Sequence, residues 1–414
     1  MLSIAQLFSP KLTVEDRSPI HLFGSLAVLP PKLEFWVQLM VLLSMQMMIS
    51  ALFAVVVYKF VVSRSETEPA SYLVGFGFVI PLALYVPFYL LQALNLQSRT
   101  LAMALICLPI LVTLRCMEAM FRFVPPAAGK SLKNYVIYYS SMMETKFDEK
   151  QEPVKATTED VVRRIFEVGG LFVVLSVLFS ITSPYDFAPF ATRFDAHSID
   201  HGLLDLFHPF HLANNFIAAV LVSVSLSFST LGASLLFNVS TGIMTRRVVE
   251  NPMFASKTPS EFWGRKWNNL VHSLLKKGIY KPVRQLTSSS KAAIFSAFVV
   301  SGLLHEYVWA ILFYVHEHQV DAALGKCRDC FYPIYGKQMV FFGLNGVTIA
   351  LESMIGGWCL FQWMKRSLPG FLITVLVLMT ALPYGHLFTG DWIIGDYFSH
   401  FMLGFPVLVR LELE

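Results

Sequence analysis

The run Ala292-Ala-Ile-Phe-Ser-Ala-Phe-Val-Val-Ser-Gly-Leu-Leu-His-Glu-Tyr-Val-Trp-Ala-Ile-Leu-Phe-Tyr-Val315 is apolar enough to cross a bilayer and carries a histidine, His305, near its middle. A helical span needs about 20 mostly apolar residues. An ionisable side chain at that depth is costly and faces a bundle interior or a wet cavity. At the helical repeat, Phe298, Ser301, His305, Trp309 and Leu312 share one face, and Glu306 points to the next. Two readings are open. A neutral imidazole can take a proton from a hydroxyl attacking an acyl carbon, which is worth roughly 10²–10⁴ in rate, or about 3–5.5 kcal/mol. Alternatively, the ring simply bonds to a neighbouring helix.

The rest of the chain gives that helix its setting. Its 414 residues are 55% hydrophobic and 14% charged, with mean hydropathy +0.58; soluble domains carry about 25% charged residues. The composition predicts an all-α polytopic membrane bundle forming one integral domain over 1–414, and no nucleic-acid partner is expected. Candidate spans cover 35–62, 71–95, 100–124, 164–182, 213–245, 292–315, 338–362, 371–389 and 392–409, about nine in all. The long segment 213–245, with Ser223, Ser225, Ser227 and Ser229, could also divide into two pieces. Residues 1–32 lack the basic-then-apolar order of a cleavable signal peptide.

Charge predicts sidedness. Loop 246–291 carries ten Lys and Arg residues against Glu250 and Glu261, and the positive-inside rule places it in the cytosol. Two spans back, loop 125–163 must share that side. Loop 183–212 has Arg193 as its one Lys or Arg beside Asp186, Asp195, Asp200 and Asp205, which suits the opposite face. Nine spans then put segment 1–32 on the exoplasmic side, at the interface, and the C-terminal segment in the cytosol.

Within the basic loop, Phe262-Trp263-Gly264-Arg265-Lys266-Trp267-Asn268 joins two indoles, two cations and an amide. Cations pair with phosphates, arginine through a bidentate fork. Indoles stack a base or sit at the headgroup level. The bland alternative is an interfacial anchor. Arg115, Glu118 and Arg122 stand at i, i+3 and i+7 in one span. They can pair along a face to fix packing, or Arg115 can line a tunnel.

Cysteine and histidine spacings are weaker signals. Cys327-x-x-Cys330 is an isolated pair short of a zinc set, so a local bridge or two thiols is expected. His197-x3-His201 and His208-x2-His211 echo di-iron spacing. No His-His pair completes a box and Pro209 interrupts a helix, so no metal is assigned.

The two motifs together carry a resemblance. Pro259-Ser-Glu-Phe-Trp-Gly-Arg-Lys-Trp-Asn268, running on to Tyr280-Lys-Pro-Val283, and Ser301-Gly-Leu-Leu-His-Glu306 are similar to blocks of the membrane-bound O-acyltransferase superfamily, wax-synthase branch. The likeness covers roughly residues 250–310, and Lys266 replaces the more usual second arginine. It implies a helical bundle around a lipid and acyl-CoA tunnel, and transfer of an acyl group from acyl-CoA, as substrate and not cofactor, to a lipid alcohol. A long-chain fatty alcohol is implied first, with diacylglycerol or sterol as alternatives. The helix histidine is catalytic in that family, which carries onto His305, and the block's final residue is the second active-site group, which carries onto Asn268. Trp263, Arg265, Lys266 and Trp267 would meet acyl-CoA, and Ser301, Glu306, Trp309 and Arg115 would line the tunnel. An endoplasmic-reticulum location is inferred from the lipid chemistry, and self-association into a homo-oligomer is left open. From other classes, a di-iron desaturase or hydroxylase and a lipid transporter compete with this reading.

Overall fold

The computed structural model describes residues 7–8, 17–64, 69–185, 187, 203–321, 325, 327 and 330–411. Among these, seven helices are long and apolar enough to cross a membrane: α1 (Leu33–Val62), α2 (Pro69–Ala93), α3 (Arg99–Met120), α5 (Thr158–Thr182), α6 (Pro209–Thr241), α8 (Ser290–Leu312) and α9 (Lys337–Ile355). Shorter helices are α4 (Leu132–Ser140), α7 (Asn269–Leu275), α10 (Cys359–Ser367), α11 (Gly370–Met379), α12 (His386–Ile394) and α13 (Tyr397–Met402). The all-α polytopic bundle is therefore as expected. The serine-bearing segment is one helix, with Ser227 Oγ folding back onto the Ser223 carbonyl at 2.8 Å.

The count of about nine spans is corrected. Predicted span 371–389 and the first residues of 392–409 form a pair, Gly370–Tyr384 and His386–Ile394, bent by 63°, so the described residues hold seven candidate spans, or eight if that pair counts as one. Composition could not reveal the breaks. Pro383 opens a tight turn before α12, and Asp396, at φ 51°, separates α12 from α13. Beyond α13 the chain forms a strand, not a helix. β1 (Ile20–Phe23), β2 (Leu26–Leu29) and β3 (Val407–Arg410) make a small antiparallel sheet in which Leu26 pairs with Arg410 and Leu29 with Val407. The Lys32 amide donates to the Leu403 carbonyl at 2.8 Å and the Trp36 indole to Gly404 at 3.0 Å.

That sheet corrects the parity argument as well. Segment 407–410 returns to the end of the bundle that holds 20–29, not to the opposite one. The link expected between loops 125–163 and 246–291 has a direct counterpart: Thr145 bridges to Thr245 and Lys155 to Ile243. The bundle thus has a basic end, built from 121–157 and 242–289, and an opposite end carrying the sheet, the 94–99 turn and the Cys327–Cys330 disulfide. The cysteine pair resolves as the local bridge.

The most buried span is α3. Its Arg115 does not pair along the helix as its spacing suggested. The guanidinium donates to the carbonyls of Tyr138, Tyr139, Ser141 and Met143, closing the end of α4 and the turn after it. Glu118 accepts from the Tyr138 hydroxyl at 2.8 Å and lies 3.7 Å from Lys277. Burial, then the nearby carboxylates Glu118 and Glu144, push the Tyr138 phenol well above its usual range, so it stays a proton donor. Arg122 lies just past α3, in the left-handed region at φ 62°, and donates to the carbonyls of Val61 and Arg64.

Candidate active site

His305 faces inward. Leu303, on the far side of α8, is 54% exposed where lipid would lie. The imidazole instead stacks on Phe342 of α9, with centroids 4.2 Å apart at 28°, and meets the edge of Phe388 of α12 at 5.6 Å. Helices α8 and α9 can approach this closely because position 302 is glycine: a Cβ there would lie 2.8 Å from Met339 Sδ and 3.0 Å from Met339 Cα.

The ring's tautomer is set by its hydrogen bond within α8. Nδ1 lies 2.7 Å from the Ser301 carbonyl. A carbonyl has no proton to give, so Nδ1 carries the hydrogen and Nε2 presents a lone pair. That is the state a general base requires. Ser301 contributes through its backbone, and its side chain is buried.

The basic-loop motif meets the same helices through aromatic rings. Trp263 lies 5.9 Å from Phe342, and Trp267 lies 6.2 Å from Phe388, the two rings that touch His305. The Trp263 indole also donates to Asn345 Oδ1 at 2.9 Å, and Asn345 is fully buried on α9. The two motifs that lie about 40 residues apart in sequence therefore share one aromatic cluster. Phe342, Phe388 and Asn345 were not singled out from sequence. Asn345 did leave a signal, as a lone amide in an apolar span, whereas Phe342 and Phe388 looked like any lipid-facing phenylalanine.

Other predicted residues have specific placements. Asn268 caps α7, its Oδ1 accepting the Val271 amide at 3.0 Å; this is a common helix-start role that leaves the amide NH₂ as its donor end. Lys266 is tied to its own loop, donating to the Ala255 carbonyl at 2.6 Å and pairing with Glu261 at 3.1 Å. Arg265 is exposed. Glu306 accepts the amides of Gln338 and Met339, at 2.9 and 3.1 Å, and so caps the first turn of α9. Trp309 is 1% exposed and packs on Trp392. His211 Nε2 lies 2.9 Å from the Pro383 carbonyl, which joins α6 to the bend before α12; His197 and His201 lie outside the described residues.

The basic end holds a cavity of about 1200 Å³. Lys146, Arg163, Arg164, Arg246, Arg247, Arg265 and Lys276 line it against Glu144, Glu167, Glu250 and Glu261, an excess of positive charge. Burial, then the charges of Lys276 and Arg265, hold the His272 imidazole below its ordinary value, so at neutral pH the cations there are lysine and arginine. A second cavity, of about 470 Å³, lies between α5 and α6, and a third, of about 890 Å³, at the disulfide end. None of these three is lined by His305 or Asn268; packed rings connect the basic motif to the histidine.

Residues 247–323, which hold both motifs, match the profile of the Membrane bound O-acyl transferase family. That segment, 77 of the 414 residues, is what the chain shares with the family. Among curated proteins it is similar to "Acyl-CoA--sterol O-acyltransferase 1" of Arabidopsis thaliana, at 32% identity over 143 residues, 32% of this chain and 35% of that protein. It is also similar to "Probable long-chain-alcohol O-fatty-acyltransferase 9" of the same plant, at 33% over 134 residues (30% and 34%). "Long-chain-alcohol O-fatty-acyltransferase" of Simmondsia chinensis matches at 28% over 151 residues (34% and 36%). The matched stretch spans about a third of the length of these relatives.

Proposed function

We propose that the protein is an acyl-CoA-dependent O-acyltransferase, that 1–414 works as one catalytic unit, and that its acceptor is a long-chain alcohol. The observation that carries this is the inward His305, its Nδ1 hydrogen committed to Ser301 and its stacking partners shared with the Trp263–Asn268 block. His305 Nε2 takes the proton of the acceptor hydroxyl as the oxygen attacks the thioester carbonyl. The Asn268 NH₂ donates to the oxygen on which charge develops, the kind of stabilisation that is often the largest catalytic contribution. The C–S bond breaks, coenzyme A takes the proton and leaves to water, and the ester remains in the bilayer.

Charge supports the orientation. The basic end, with Arg265 and the 1200 Å³ cavity, suits the cytosol and a polyanionic donor. The disulfide at the other end suits an oxidising lumen, consistent with residence in the endoplasmic reticulum.

The test is expression in cells lacking neutral-lipid synthesis, fed labelled fatty alcohol, diacylglycerol or sterol separately. Labelled wax ester in the first arm is the expected result. A steryl ester or triacylglycerol as the sole product would reassign the acceptor. His305→Ala is expected to abolish product while the protein still inserts; substantial turnover by that variant would remove the base role.

A further inference from the structure

The cavity of about 470 Å³ between α5 and α6 holds none of the residues assigned to the reaction. Its walls are Gly170 and Leu171 of α5 and Val220, Val224 and Leu231 of α6. Helix α5 is the least buried of the seven candidate spans. Gly170 is exposed, and nothing packs within 4 Å of where a Cβ would sit. The cavity is therefore a groove on the outer face of the bundle. Ser227 on its floor leaves it apolar, because its hydroxyl donates to the Ser223 carbonyl at 2.8 Å. Within a bilayer such a groove is filled by hydrocarbon, since water finds no partners there.

The mouth of the groove carries one charge of each sign. Glu167 and Arg247 are the charged residues of its lining, with Glu167 Oε2 2.5 Å from Arg247 Nη2. Both also line the basic cavity, so the pair stands where the groove opens onto the basic end. The Arg247 and Glu167 side chains stay 47% and 31% exposed, which leaves them within reach of a headgroup. A guanidinium takes a phosphate through paired N–H donors. A carboxylate accepts from a primary ammonium, which has three N–H donors; a quaternary ammonium has none to give. Side by side, the two residues match a zwitterionic headgroup, whereas an anionic one would bring no cation to Glu167. The same wall bears on the basic motif. The Arg247 carbonyl accepts from the Asn269 side chain at 3.3 Å and the Val248 carbonyl from the Asn269 amide at 2.8 Å. Met253, also on the groove, belongs to the buried cluster that holds Trp267 and Phe388.

We infer that this groove is a binding site for a resident phospholipid whose headgroup carries a primary ammonium beside its phosphate, a phosphatidylethanolamine. One acyl chain lies between α5 and α6, the phosphate meets Arg247 and the ammonium meets Glu167. The lipid packs behind the 247–253 segment, on the side away from Asn269. The site goes beyond the acyltransferase reading and does not depend on it.

The experiment uses the full chain purified in detergent and incubated separately with labelled dioleoyl phosphatidylethanolamine, phosphatidylcholine or phosphatidylglycerol. The lipid retained per chain is counted after washing. Phosphatidylethanolamine is expected to be retained about fivefold or more above the other two. Gly170→Trp fills the groove from a position with open space around it, and it is expected to lower that retention about fivefold or more. Glu167→Gln keeps the side-chain shape and removes the charge; it is expected to abolish the preference for the primary ammonium, and it serves as the test if Gly170→Trp fails to accumulate. Equal retention of the three lipids by the unsubstituted chain, a preference for phosphatidylglycerol, undiminished retention in Gly170→Trp or an undiminished preference in Glu167→Gln overturns the site. Retention is counted without any ester being formed, so a chain that holds the lipid but esterifies no alcohol would remove the catalytic reading and leave the site standing.

Discussion

Arg265 and Lys266 are neighbours of the same charge, yet their surroundings assign them different work. Lys266 spends its ammonium on Ala255 and Glu261, whereas Arg265 is exposed on the wall of the basic cavity. Arg265→Ala should therefore raise the KM for acyl-CoA about three- to tenfold, roughly 0.7–1.4 kcal/mol, a modest value for one exposed charge-assisted contact. Lys266→Ala should leave donor dependence near the unsubstituted value and act on loop stability instead. Steady-state kinetics with varied acyl-CoA separates the two; an equal rise in both variants would show that Lys266 also meets phosphate. The sequence alone grouped these residues, because spacing reports which charges are near each other and not which are already satisfied. Arg115 teaches the same lesson: its position in a span was legible, but its carbonyl partners around 138–143 belong to a turn that no periodicity announces.

Among elements, the contact of α8 with α9 decides where the imidazole points. Gly302 permits it, since a Cβ would press on Met339 Cα at 3.0 Å, an atom that cannot swing aside. Gly302→Ala is expected to cost about 1–3 kcal/mol, as overpacking does, and to move Phe342 off the histidine. A lower thermal midpoint in detergent together with a reduced kcat would be the result. A midpoint equal to that of the unsubstituted protein would mean that the helices have slack at this crossing. The helices themselves were largely legible, because a run of about 20 apolar residues has few other ways to satisfy its backbone. The bent pair was not. Hydropathy registers that 370–394 is greasy but not that Pro383 and Gly385 turn the chain by 63° between its halves. The His305 and Trp263–Asn268 motifs were found from sequence; the rings that join them, Phe342 and Phe388, were hidden among 36 phenylalanines.

Across the whole molecule, β2 and β3 meet at one end, opposite the basic loops. An epitope inserted in the Gly24–Ser25 turn and a cysteine placed at Arg410 should both be shielded from protease or impermeant thiol reagent added outside sealed microsomes. An epitope at Lys257 should be accessible there. Opposite accessibilities for the first two sites would contradict the strand pairing. The parity error came from one miscounted span, which shows how fragile an alternating count is when a single helix breaks. Loop charge was the sturdier guide, since each of the ten cations in 246–291 adds to it independently.

The antiparallel pairing of Leu26–Leu29 with Val407–Arg410 also has a consequence for biogenesis. Its partners Leu26 and Arg410 stand 384 positions apart, so a ribosome threading the helices into the bilayer must finish decoding residue 410 before β2 acquires its second neighbour. Until then Phe35 and Trp36, which later surround Gly404 and Phe405, stay uncovered. A transcript terminated shortly before codon 407 would thus yield an inserted bundle with an open sheet edge, a feature by which a membrane quality-control system could distinguish it from the finished protein.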